Sequence, residues 1–73
     1  MLNKNLEENK LRYKVKEIRE ELKMSQEVLS QKSGVSRTII SGLESGKIKE
    51  TSTVTLTKIA NALERKVSDI FLE

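Results

Sequence analysis

Between Ser25 and Gly46 the chain reads SQEVLSQKSGVSRTIISGLESG, and this placing of serines and glycines leaves few ways to fold. A serine hydroxyl can accept the free N–H groups that open a helix, so Ser25 predicts a helix from Gln26 with Leu29 turned inward. Roughly two turns later Ser33-Gly34-Val35 ends it: Gly34 can take the left-handed backbone that closes helices, and Val35 supplies an apolar plug. Ser36 caps again, and Gly46 closes a second helix, with Lys47 and Lys49 in the loop beyond. At about 100° per residue, Ser36, Ile39, Ile40 and Leu43 share one side of that helix, which must face a core. Arg37, Thr38, Ser41, Gly42 and Ser45 fall on the other side. None of them is a large apolar residue, so that side meets solvent or a ligand.

The flanking sequence extends the same architecture. Proline is absent, and Tyr13 and Phe71 are the only aromatics, which favours helices over strands. A first helix is predicted from Leu11 to Lys23, with Leu11, Val15, Ile18 and Leu22 as its core stripe. The second and third run from Gln26 to Ser33 and from Ser36 to Ser45. A fourth spans Thr53 to Leu63, capped by Ser52 or Thr51, and a brief fifth spans Val67 to Leu72, capped by Ser68 or by neighbours of Lys66. The β-branched TSTVTLT segment alone suggests a strand, whereas the KIANAL that follows has a helical pattern. The expectation is an all-α fold: a polar, frayed extension over residues 1–10 and one domain over 11–73, without internal repeats.

Seventy-three residues are too few to enclose a large substrate cleft and lie near the size at which one core gives marginal stability. The net charge of +3 matters less than its distribution. Lys10, Arg12, Lys14 and Lys16 cluster without an acidic residue, and Lys32, Arg37, Lys47 and Lys49 face only Glu44 over residues 32–49. A segregated positive surface attracts phosphate by counterion release, although charge alone fits an ordinary solvated face equally well. Enzyme chemistry is poorly supplied. There is no histidine or cysteine to act as base or nucleophile, no glycine-rich phosphate loop and no metal-ligand spacing, so no cofactor or metal is expected. The absence of cysteine is consistent with a reducing cytoplasm. With no apolar run of about 18 residues and no signal-like N-terminus, a cytoplasmic protein without membrane contact is expected.

Four blocks, VKEIREELKMSQ, LSQKSGVSRTIISGLESGK, LTKIANAL and VSDIF, resemble in order and spacing the helix-turn-helix domains of the lambda-repressor and Cro type, the XRE family. The resemblance covers about Leu11 to Phe71. It implies a five-helix, lambda-repressor-like domain of prokaryotic or phage type, its second and third helices forming the helix-turn-helix. The implied activity is binding of double-stranded DNA as a transcriptional regulator, most simply a repressor, with the helix at 36–45 in the major groove.

The resemblance also distributes roles. Ser36, Arg37, Thr38, Ser41 and Gly42 occupy base-reading positions; Arg37 suits guanine O6 and N7 or else a phosphate, and Thr38 suits a thymine methyl. Gln26, Ser45, Lys47 and Lys49 match phosphate-binding positions, and Arg19 with Glu44 matches a structural ion pair. Three residues depart from the family pattern. Gly42 stands where a long polar side chain is usual, which suggests a helix backbone brought closer to the groove. Ser30 replaces alanine, its hydroxyl expected to bond back within its own helix. Val28 is apolar where a polar, exposed residue is usual. One small module makes few contacts, so a homodimer on a pseudo-palindromic operator is expected, its seam at Ile70-Phe71-Leu72, the loop before helix four or the N-terminal extension. No small-molecule effector is evident. The alternative is an antitoxin or co-regulator that chiefly holds a protein partner.

Overall fold

A computed structural model describes residues 13–71, and these form five helices: α1 Val15–Glu21, α2 Gln26–Ser33, α3 Arg37–Ser45, α4 Thr53–Ala62 and α5 Val67–Ile70. The all-α expectation holds, with no strand among the described residues. Leu11, the N-terminal extension and Leu72 lie outside the described residues.

Three serines start three helices. The Oγ of Ser25 accepts the Val28 N–H at 3.0 Å, that of Ser36 the Ile39 N–H at 3.2 Å, and that of Ser52 the Thr55 N–H at 3.1 Å. Such a cap contributes about 1 kcal/mol. Ser52 rather than Thr51 is thus the cap of α4, and the threonine-rich segment is helical from Thr53. α5 starts differently: the Asp69 carboxylate, not Ser68, accepts the Lys66 N–H at 3.0 Å. Gly34 and Gly46 end α2 and α3 in the left-handed region, at φ 77° and 87°.

The first and last helices are shorter than the sequence predicts. Tyr13 pairs with Phe71 in an isolated antiparallel bridge, the Lys14 N–H donates to the Ile70 carbonyl at 2.8 Å, and the two rings pack at a 32° tilt with centroids 5.6 Å apart. The residues on either side of the fold are therefore drawn into a clasp, so α1 begins at Val15 and α5 ends at Ile70. At its other end α1 stops at Glu21, because Lys23 takes a left-handed φ of 57°. Leu22, expected in the core stripe, consequently lies beyond the helix and is 40% exposed.

The core is built from every helix. Val15, Leu29, Ile40, Leu43, Ile59, Leu63 and Ile70 are fully buried, with Ile18, Val35, Leu56 and Ala60 around them. Burying each large aliphatic side chain contributes about 2 kcal/mol, so this stripe-to-stripe packing outweighs the local preferences of TSTVTLT. Ile70 belongs to this core and therefore cannot form a dimer seam, whereas its neighbour Phe71 is 40% exposed. Val28 is also exposed, and Ser36, placed on the core side by angular counting, is exposed because it is the cap preceding α3.

Candidate nucleic-acid interface

The turn joining α2 to α3 is bonded on both sides, which fixes how α3 is presented. Ser33 Oγ accepts the Val35 N–H at 3.1 Å, and Ser30 Oγ donates to the Val35 carbonyl at 2.6 Å. The Ser30 hydroxyl thus bonds across the turn and not within its own helix. Left-handed Gly34 is the cause, since it reverses the chain and returns residue 35 to α2. Val35 itself is buried, as an apolar plug should be.

On the outer side of this corner, Gln26, Arg37, Thr38, Ser41, Gly42, Ser45 and Lys47 line one open cleft. No large apolar side chain borders it. Arg37, Thr38, Ser41, Ser45 and Lys47 are exposed, and Gln26 is half-buried. Ser36 and Lys49 are exposed but do not line the cleft. The Ser36 oxygen is engaged as the cap of α3, while the Lys49 carbonyl accepts the Tyr13 hydroxyl at 3.2 Å.

A chain of charged and amide groups runs from beneath α3 into this cleft. Arg19, buried on α1, donates from Nε to Glu44 Oε2 at 2.8 Å, from Nη2 to Glu44 Oε1 at 3.1 Å and from Nη1 to the Met24 carbonyl at 2.7 Å. The Glu44 carboxylate holds the Arg19 guanidinium above its ordinary pKa, against the opposing effect of burial. Glu44 Oε1 also accepts from Gln26 Nε2 at 2.9 Å, and Gln26 Oε1 lies 3.5 Å from Arg37 Nη2. The ion pair therefore fixes α3 against α1 and also aims the Gln26 amide, which in turn restrains the arginine at the head of α3. Gln26, in the first turn of α2 where backbone N–H groups lack helical partners, thus lines the cleft at a helix end suited to an anion.

Gly42 departs from the expected placement. Angular counting puts it on the solvent side, yet it is buried. The covering group is Ile48: a Cβ on Gly42 would lie 2.5 Å from Ile48 Cδ1 and 2.6 Å from Cγ1. The chain after Gly46 folds back so that the isoleucine sits on bare helix backbone, and the Ile48 N–H donates to the Gly42 carbonyl at 2.9 Å. The glycine thus serves a close approach by the protein's own loop while still lining the cleft. Ser45 Oγ also turns inward, donating to the Gly42 carbonyl at 3.3 Å and accepting the Lys47 N–H at 3.3 Å. Sequence reasoning passed over Ile48. Its one signal was a lone apolar residue in the Lys47-Ile48-Lys49 loop, a setting where lysines alone would suffice for a solvated turn.

Among the described residues no helix is long and apolar enough to cross a membrane, and no group of acidic side chains could hold a metal ion. No curated protein and no solved structure matches the chain. A family model does: that of the helix-turn-helix, over residues 15–70, which takes in all five helices and the whole cleft. With caps, left-handed glycine turn and polar α3 face all inside that span, the chain belongs to the XRE-type helix-turn-helix family of DNA-binding transcription regulators.

Proposed function

We propose that this protein is a sequence-specific repressor that lays α3 in the major groove of double-stranded DNA and binds a pseudo-palindromic operator as a homodimer. The observation that carries the reading is the shared cleft, where Arg37, Thr38 and Ser41 project from one side of α3 beside Gln26 and Lys47. Arg37 reads a guanine edge, Thr38 offers its methyl to thymine and Ser41 adds a hydroxyl to either strand. Ser36 retains its O–H to donate at the edge of the site. Gln26, Ser45, Lys47 and Lys49 hold phosphates on either side, and Arg19 with Glu44 keeps α3 at the required tilt. Few base contacts per protomer make a second copy necessary for specificity, and Phe71 with Val54, 40% and 63% exposed, offers apolar surface for it at the clasp and in the first turn of α4. Repression follows from occupancy, since a bound dimer excludes other proteins from the promoter.

Selection from randomised duplexes tests the proposal. A two-fold-symmetric site should emerge, with half-sites about one helical turn apart, and Arg37→Ala should relax one position by about 1–3 kcal/mol. The competing reading is an antitoxin or co-regulator role, favoured by Leu22 and Val28, which are exposed around Met24 and Ala62 on a second groove. Selection that returns no preferred sequence would favour it.

A further inference from the structure

We propose that Ile48 is a positioning residue that holds the phosphate-gripping loop to the recognition helix by occupying the space of the missing Gly42 side chain. The inference deepens the DNA-binding reading and rests on it. Three observations support it. Ile48 packs against the core from a loop whose neighbours Lys47 and Lys49 are exposed, so an apolar anchor lies between two cations. The ideal Cβ position on Gly42 falls 2.5 and 2.6 Å from Ile48 side-chain carbons, which is a seat that only glycine leaves open. Finally, the Gly42 carbonyl accepts from both the Ile48 N–H and the Ser45 hydroxyl, and the same hydroxyl accepts the Lys47 N–H.

The physical consequence is a trade at residue 42. A long side chain there could touch a base; this chain instead gives up that contact and uses the space to lock the loop. A lysine on a free loop loses conformational freedom when it grips a phosphate, whereas a lysine flanked by an anchored isoleucine has already lost part of it. Base reading is then confined to Arg37, Thr38 and Ser41, and Lys47 contributes more than a surface lysine on a mobile turn would.

The test is the salt dependence of binding to a mixed-sequence 20-base-pair duplex, measured by fluorescence anisotropy on the full chain. Wild type should show a negative slope of log affinity against log salt. Ile48→Ala, still helical by circular dichroism, should bind about three-fold more weakly with a slope about one unit shallower, as if one phosphate contact were lost. Lys47→Ala should do the same, and the double variant should be no worse than either single one. Should Ile48→Ala fail to fold, Gly42→Ala displaces the same side chain, since its Cβ would meet both Ile48 Cδ1 and Cγ1, and it should show the same shallower slope; a folded Gly42→Ala with the wild-type slope would overturn the positioning role. A folded Ile48→Ala with the wild-type slope, or effects of Ile48→Ala and Lys47→Ala that multiply, would overturn the positioning role and leave DNA binding intact. A flat slope for wild type would overturn the DNA reading itself and this inference with it.

Discussion

Replacing Glu44 with alanine should damage the fold far more than a change at an exposed α3 position, and its size can be worked from the bonds it breaks. The carboxylate accepts three: two from Arg19 and one from Gln26, at 2.8, 3.1 and 2.9 Å. The side chains of Arg19 and Glu44 are 11% and 4% exposed, so water cannot readily replace the lost partner. Arg19 would keep only the Met24 carbonyl for a buried cation. Leaving one member of a buried pair uncompensated costs about 3–5 kcal/mol, and the cleft beside Gln26 places this case near the lower figure. A domain of this size holds only about 5 kcal/mol in all. With a urea dependence of about 1 kcal/mol per molar, the unfolding midpoint should fall by about 3 M. Glu21→Ala is the control: its carboxylate lies 3.8 Å from Arg65 and its side chain is 60% exposed, so solvent screening should leave the midpoint where it was. Arg19→Met combined with Glu44→Leu should recover most of the loss, since the cost lies in the orphaned charge and not in the absence of the pair. Equal midpoints for Glu44→Ala and Glu21→Ala would refute the reasoning.

Gly42→Ala sets two effects against each other, and packing should win. Alanine adds about 1 kcal/mol of helix preference, but displacing Ile48 costs about 2 kcal/mol, so Tm should fall by several degrees; a rise would mean that Ile48 relaxes freely. Lys23→Gly and Glu64→Gly should each raise Tm, because both residues sit in left-handed backbone at φ 57° and 58° without being glycine, at a cost of about 1 kcal/mol apiece. Unchanged or lowered melting in both variants would show that their side chains compensate for the strain.

Features set within one turn of helix were legible in the sequence. Ser25, Ser36 and Ser52 cap, Gly34 and Gly46 turn, and Leu29, Ile40 and Leu43 face inward, because each depends on neighbours three or four residues away. The exposed arc of Arg37, Thr38, Ser41 and Ser45 followed from the same angular rule. What escaped was decided by backbone just past a helix end or by residues packing on a helix from elsewhere. Leu22 continues the period of α1 perfectly well, yet the helix ends before it because Lys23 accepts a left-handed turn that lysine seldom adopts. Gly42 lies at the right angle to face solvent, and only a loop residue folding back buries it. Tyr13 and Phe71 stand at opposite ends of the described chain, and no local pattern could pair them.

That pairing also makes the fold portable. Its first and last described residues lie side by side, joined by the bond from the Lys14 N–H to the Ile70 carbonyl, so the unit closes on itself like a ring with a narrow neck. Adjacent ends are the property that lets a domain be spliced into a surface loop of a host protein without stretching either partner. Inserted through this clasp, the domain should therefore give a host of unrelated fold a built-in duplex-binding head.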